Sequence, residues 1–154
     1  MKKVFTLSIL YKHPKVLLGL KKLKMGAGWY NGFGGKVEKG ESIEVAAKRE
    51  VFEEVGVKVK TQIKVGVINF KFTNESSKTL EVHIFLSKNF TGKPIETKEM
   101  KPRWFPISKI PYDKMWPADK YWIPLALAQK QFTGKFIYNS KNEIVSFSLW
   151  VLKF

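Results

Sequence analysis

Between residues 35 and 57 the chain reads Gly35-Lys-Val-Glu-Lys-Gly-Glu41-Ser-Ile-Glu-Val-Ala-Ala-Lys-Arg49-Glu50-Val-Phe-Glu53-Glu54-Val-Gly56-Val57. Ser42 can accept a hydrogen bond from the first free N–H groups of a helix, and Gly56 can take the left-handed conformation that ends one. Neither glycine nor proline interrupts residues 43–55. The spacing therefore predicts a helix from about Ser42 to Val55. At roughly 100° per residue, Glu50, Glu53 and Glu54 share one face about 100° wide, beside an apolar ridge of Ile43, Ala47, Val51 and Val55. The glutamates thus line the border where the helix leaves the core. Ala46, one turn before Glu50, is small enough to let the preceding loop come close. Three carboxylates so placed repel one another, which raises their pKa values unless a cation sits among them. Oxygen-only ligands suit Mg²⁺ or Mn²⁺, ions that bind phosphate oxygens and lower the pKa of bound water. Arg49, four residues before Glu53, can pair with that carboxylate and hold its rotamer.

Composition narrows what such a helix can serve. The 154 residues fit one domain, 1–154, and 44% hydrophobic content argues against a disordered chain. The absence of cysteine excludes disulfide frameworks, zinc ribbons and thiol catalysis, and two histidines are too few for a His-rich metal site. With 28 Lys+Arg against 13 Asp+Glu, the net charge of +15 favours anionic partners. The lysines are scattered in runs no longer than two, which favours steering of a small anion over a polymer-binding face. Met1-Lys2-Lys3 followed by Val4–Leu10 mimics a signal peptide, but the run is β-rich and lacks a small-residue cleavage site, so it reads as a first strand. No stretch approaches the ~20 apolar residues of a membrane span. The expectation is a cytoplasmic monomer.

Strands are expected at 3–11 and 15–21 around the His13-Pro14 turn, and at 63–73 and 80–90 around Asn74–Lys78. A short strand should fall at Arg103–Phe105, and a hairpin at 134–139 and 144–152, with Phe147, Leu149 and Val151 alternating with Ser146, Ser148 and Trp150. Asp119–Lys130 reads as a second helix, with Pro124 kinking it or marking its real start. Mixed strands with two helices indicate an α/β sandwich. The glycine-rich stretch Gly26–Gly35 can bring backbone N–H groups to phosphates beside the first helix. It is not a dinucleotide fingerprint, because Asn31 stands at the third glycine position. Nor is it a P-loop, because Val37 follows Gly34-Gly35-Lys36.

Gly35, five residues, Glu41, seven residues, then Arg49-Glu50-Val51-Phe52-Glu53-Glu54-Val55-Gly56-Val57 matches without exception the signature of the Nudix hydrolases. Nine specified positions arise by chance with a probability on the order of 10⁻⁹ per start site. The resemblance implies the Nudix fold, an α/β/α sandwich with a mixed central sheet and a catalytic loop-helix-loop. It also implies a metal-dependent pyrophosphohydrolase of nucleoside diphosphate derivatives. Outside the signature, Leu17–Lys22, Asn31–Val37, Glu99–Phe105, Met115–Asp119 and Tyr121–Pro124 resemble the family branch that cleaves oxidised purine nucleoside triphosphates. That implies 8-oxo-dGTP, or less readily 2-hydroxy-dATP, cut to monophosphate and pyrophosphate.

Carried over by that resemblance, Glu53, Glu54, Glu50 and Arg49 form the catalytic set, and Gly35 (by its carbonyl), Glu50, Glu53, Glu54 and Glu99 hold Mg²⁺. Glu53 and Glu99 are both candidates for the base. Asn31 would bind the base edge, having both a donor and an acceptor, and Trp116 would stack on the base. Thr6, Lys21, Phe70, Phe72, Met100 and Trp122 would line the pocket; for Phe70 and Phe72, core packing is an equal reading. His13 and His83 are assigned to turn and sheet. The branch carries two adjacent acidic residues after Trp-Pro, and here they are Ala118 and Asp119. A lone Asp119 should ionise readily and only accept hydrogen bonds, which predicts 8-oxo-dGTP retained and 2-hydroxy-dATP weakened. Met25 and Trp29-Tyr30 also depart from the branch at the pocket rim. Two other readings stay open: a Nudix enzyme acting on RNA 5′ ends or other nucleoside diphosphate derivatives, and a basic nucleotide- or nucleic-acid-binding module without catalysis.

Overall fold

The computed structural model describes residues 1–152. The one-domain reading therefore runs two residues beyond the described chain. Eight strands and two helices follow one another as β1 (Lys2–Lys12), β2 (Lys15–Lys21), β3 (Tyr30–Asn31), α1 (Ile43–Val55), β4 (Lys58–Phe72), β5 (Thr79–Thr91), β6 (Met100–Pro106), α2 (Asp119–Leu127), β7 (Phe132–Tyr138) and β8 (Ile144–Val151). They form a sheet in the order β3-β2-β1-β5-β4-β7-β8, with β6 added against β2. The β1–β5 and β4–β7 pairs are parallel and the others antiparallel, so the sheet is mixed.

Alternation along the strands sends side chains to two cores. Ile9, Val16, Leu18, Ile68, Ile84, Phe132 and Phe136 pack on the face that carries Trp122, Ile123 and Ala126 of α2. Leu10, Leu17, Phe33 and Val59 pack on the other, under Val51 and Val55 of α1. Each buried Val, Leu or Phe contributes about 1.5–3 kcal/mol, and this two-sided burial holds the helices on the sheet. The result is the helix–sheet–helix sandwich expected.

Helix α1 starts and stops where its caps dictate. The Val45 N–H donates to Ser42 Oγ at 3.1 Å, and Gly56 sits at φ 72° with its N–H donating to the Phe52 carbonyl. Of the expected ridge, Ala47, Val51 and Val55 are buried and Ile43, in the first turn, is half-buried; Ala46 and Glu54 are buried with them. Helix α2 begins at Asp119 and runs through Pro124, ending at Leu127 rather than Lys130. Gln129 adopts φ 57°, a left-handed conformation that closes the helix early. Strand β4 begins at Lys58, five residues before the expected start, because it follows the helix stop directly and pairs with the far end of β5. Strand β8 keeps the expected alternation, but Phe147 and Val151 remain 45% and 44% exposed because β8 is the outer strand of the sheet.

Candidate active site

The loop from Asn31 to Glu41 and helix α1 meet at the edge of β1. Thr6 and Ser8 of β1 donate their N–H groups to the carbonyls of Gly35 and Phe33, at 2.9 and 2.7 Å, which ties the loop to the sheet. Two glycines make this approach feasible. A Cβ at Gly34 would lie 1.8 Å from the Thr6 carbonyl oxygen, and one at Gly35 would lie 2.5 Å from the Glu50 carboxyl carbon. The absent side chain at Gly35 is thus the cradle in which the Glu50 carboxylate rests.

Arg49 organises the acidic face. Its Nε and Nη2 donate to the two carboxylate oxygens of Glu41 at 2.6 and 2.9 Å, a forked pair. Its Nη1 donates to Glu50 at 2.8 Å and to Glu53 at 3.0 Å, and Nη2 also reaches the Lys36 carbonyl at 3.2 Å. The expected Arg49–Glu53 pair is present, joined by Glu50 and by Glu41 eight residues upstream. The guanidinium holds Glu41 down to about 2. Glu54 turns the other way and accepts the Gly34 N–H at 2.8 Å. Burial pushes its carboxyl up to about 8, against the Gly34 hydrogen bond and with the neighbouring Glu50 charge. Burial likewise raises Glu50, with Arg49 pulling it down and Glu53 and Glu99 adding repulsion. Thr97 Oγ1 donates to the Glu54 carbonyl at 2.9 Å, which fastens the segment bearing Glu99 to the end of α1.

One cavity of about 890 Å³ opens along this face and runs through the sheet edge toward α2. Its acidic part holds Gly35, Glu50, Glu53, Glu54 and Glu99. Its other part holds every expected pocket residue: Thr6, Lys21, Asn31, Phe70, Phe72 and Met100, with Trp116, Asp119 and Trp122. Arg49 does not line the cavity; it stands behind the glutamates. The ring of Trp116 meets Trp29 edge-on, with centroids 4.9 Å apart, and tilts toward Tyr138 at 5.3 Å. Phe70 stacks parallel to Tyr138 at 5.9 Å, so it packs in the core while it also faces the cavity. Met25 is at the rim and 46% exposed, whereas Tyr30 packs edge-on against Phe105. His13 pairs with the Tyr11 hydroxyl, and His83 with Glu81; neither lines the cavity.

Asp119 reverses the expectation of easy ionisation. It is 7% exposed on the cavity wall, and burial pushes its carboxyl up to about 7 despite the hydrogen bond it accepts from Trp122 Nε1 at 3.0 Å. Ala118 beside it is fully buried, and its N–H donates to the Tyr138 hydroxyl at 3.1 Å. Losing one of two carboxylates removes a repulsion, but it also leaves the survivor in an apolar wall, and desolvation dominates. Tyr138 and Thr97 were not legible as site residues. Tyr138 reads only as an alternating strand aromatic, and Thr97 lies in a polar loop without a pattern.

The donor chemistry fits a hard divalent cation, since Glu50, Glu53, Glu54 and Glu99 bring carboxylate oxygens to the same cavity. Among the described residues, no three such acidic, imidazole or thiolate groups converge to enclose an ion as the side chains stand. Arg49 accounts for this by drawing Glu50 and Glu53 onto itself while Glu54 points to Gly34.

A Nudix sandwich with its signature loop and helix at a cleft defines the class, and the NUDIX domain family matches residues 3–126; the chain belongs to the Nudix hydrolases. Over 147 residues it is 46% identical to the oxidized purine nucleoside triphosphate hydrolase of Mus musculus and 47% identical to that of Danio rerio. Each alignment covers 96% of this chain and 94% of the relative. The crystal structure of the mutator MutT protein from Bacillus halodurans superposes with a TM-score of 0.86 at 28% identity, covering 96% of this chain and 97% of that one. Nudix hydrolases generally use divalent metal ions. No helix among the described residues is long and apolar enough to cross a membrane.

Proposed function

We propose that this chain hydrolyses oxidised purine nucleoside triphosphates, 8-oxo-dGTP first and 2-hydroxy-dATP second, to monophosphate and pyrophosphate. That activity clears damaged nucleotides from the pool. One observation carries the reading: a single cavity joins an aromatic wall with polar edge groups to a cluster of carboxylates. The names of the mouse and zebrafish relatives support the same substrate class. We take the enzyme to be a single-domain cytoplasmic monomer acting on a small nucleotide.

Trp116 offers an indole face for the base, a contact worth ~1–3 kcal/mol. Asn31 and Asp119 stand at the polar edge, where they can pair with purine donors and acceptors. Lys21, with Lys24 and Lys98 on the same cavity, offsets the phosphate charge. Gly35 by its carbonyl, and Glu50, Glu53, Glu54 and Glu99 by their carboxylates, would hold Mg²⁺, with Mn²⁺ as a substitute. When bound, the ion offsets charge at the phosphate oxygens and makes water easier to deprotonate. The chain's own part is placement. Arg49 fixes the rotamers of Glu50 and Glu53, the Gly34 N–H fixes Glu54, and Thr97 fixes the Glu99 segment. Glu53, whose side chain is 49% exposed, and Glu99 are the groups suited to take the proton from attacking water.

A carboxyl that titrates near neutrality changes the expected selectivity. Ionised Asp119 accepts from the N1–H and N2–H of an oxidised guanine, and protonated Asp119 donates to an adenine-type edge. Both substrates are therefore accessible around pH 7, with 8-oxo-dGTP favoured above it.

A panel of normal and oxidised purine triphosphates, with Mg²⁺ and with EDTA, tests the proposal through pyrophosphate release. Hydrolysis should need the metal and favour the oxidised bases. Glu53→Gln and Glu54→Gln should each lower kcat by about 10²-fold or more with the fold intact. Equal turnover of dGTP and 8-oxo-dGTP would sink the substrate assignment, and near-normal turnover in both variants would sink the site.

A further inference from the structure

Away from the cavity, the α1 side of the sheet is open at one corner. Strand pairing sets Trp150 of β8 beside Thr133 of β7, then Ser148 beside Lys135, then Ser146 beside Ile137. On the inner side of β7, Asn69 of β4 lies beside Lys135 and Lys71 beside Ile137. None of these residues is buried, whereas Phe132, Phe136, Tyr138 and Ile68, which alternate with them on the same strands, are. Helix α1 lies over the opposite end of β4, where Gln62 Nε2 donates to the Glu44 carbonyl and Lys48 to the Lys60 carbonyl. Among the described residues, no element covers the corner.

Its chemistry is directional. Trp150 is 57% exposed at the outer strand. Lys135 and Lys71 have no carboxylate within ion-pair distance among the described residues. Glu81, on the neighbouring β5, is already matched by Lys2 at 3.0 Å and His83 at 2.8 Å. From Trp150 to Lys135 to Lys71, each step moves one strand across and two residues along, and across the antiparallel β7–β8 pair such diagonal neighbours are ~7–8 Å apart. Beside Lys135 a hollow of about 220 Å³ is lined by Ile137, Ser146, Phe147 and Ser148.

We propose that this corner binds single-stranded nucleic acid, with one base stacked on Trp150 and backbone phosphates on Lys135 and Lys71. An exposed sheet face carrying an aromatic ring and cations suits unpaired bases, whose π-faces a duplex hides. Serine, threonine and asparagine side chains alongside can hydrogen-bond sugar and phosphate. Charge complementarity selects a polyanion, and the chain-wide +15 disfavours a second copy of this protein on the same face. An acidic peptide would satisfy the lysines and leave the indole without a role.

Fluorescence anisotropy of a labelled twelve-nucleotide oligouridine with the full chain, in EDTA and low salt, tests this. Saturable binding is expected, with a log-affinity against log-salt slope of about −1.4 from two neutralised phosphates. Lys71→Glu with Lys135→Glu should weaken it more than about tenfold, and Trp150→Ala more than about fivefold, with melting temperature and nucleotide hydrolysis unchanged. Four results would overturn the proposal. These are no binding at ~10⁻⁴ M protein, affinity unmoved by these variants but lost in Lys21→Glu, equal affinity for a duplex of the same length, and polyglutamate competing as well as oligouridine.

Discussion

Replacing Gly35 by alanine adds one methyl group to the cradle beneath Glu50. The new Cβ would lie 2.5, 2.6 and 2.7 Å from the carboxyl carbon and the two oxygens of Glu50, where ordinary contact begins at 3.4 Å. The carboxylate must therefore retreat by roughly 0.9 Å, and a displacement near 1 Å of a catalytic group costs about 10²-fold in rate. The group that moves is the free end of a side chain, so the fold should lose less than about 1 kcal/mol. Gly34→Ala is the matched control. Its Cβ would sit 1.8 Å from the Thr6 carbonyl oxygen, a backbone atom that cannot swing away. The loop must then leave β1, costing about 3 kcal/mol or more. Pyrophosphate release from 8-oxo-dGTP and thermal melting, measured on both variants, separate the two effects. Gly35→Ala should melt like the parent with kcat about 10²-fold lower, whereas Gly34→Ala should melt well below it. If Gly35→Ala kept half of the parent activity, the cradle argument would be wrong; so would it be if the two variants lost stability alike.

In EDTA, Asp119 at about 7 and Glu54 at about 8 bind protons that the unfolded chain, at 3.8 and 4.5, has already released. Stability should therefore fall as pH rises from about 4 to about 8 and level off above. Asp119→Asn and Glu54→Gln should each flatten that slope and raise Tm at pH 8; a Tm that climbs steadily from pH 5 to pH 8 would contradict the burial argument. Glu41, held at about 2, works in the other sense, and its contribution is lost only below about pH 4.5. The ratio of kcat/KM for 8-oxo-dGTP over 2-hydroxy-dATP should rise through pH 7 and become flat in Asp119→Asn, which steady-state rates from pH 6 to 8.5 will show. Tyr138→Phe leaves the buried Ala118 N–H without its acceptor, at a cost of about 1–3 kcal/mol read by urea unfolding. An unchanged midpoint would mean that the N–H finds another partner.

Helix α1 illustrates what could be read directly. Its caps, its apolar period and the positions of Glu50, Glu53 and Glu54 all depend on residues within a few turns, and local chemistry settles them. The strands were legible for the same reason, to within a few residues. So were the pairs joined by a short turn, β1–β2, β4–β5 and β7–β8. The long-range pairing was not, because β1 lies parallel to β5 and β4 parallel to β7, contacts between segments far apart in the chain. Arg49 shows the same division. Its partner Glu53 is one turn away and was foreseen, but the forked bond to Glu41 exists because the loop folds back over the helix.

Asp119 marks the limit most sharply. Residue type and neighbours said that a lone carboxyl would ionise, yet its proton affinity is set by the apolar wall that α2 and distant strands build around it. The order of residues along the chain was enough to place the enzyme in its class through its signature, and to set Glu50, Glu53 and Glu54 on one face of α1, because side-chain direction follows from covalent spacing on a regular helix. The shape of the cavity, the hub around Arg49 and the direction in which each buried acid titrates arose from packing, because solvation and long-range contact have no counterpart in linear spacing.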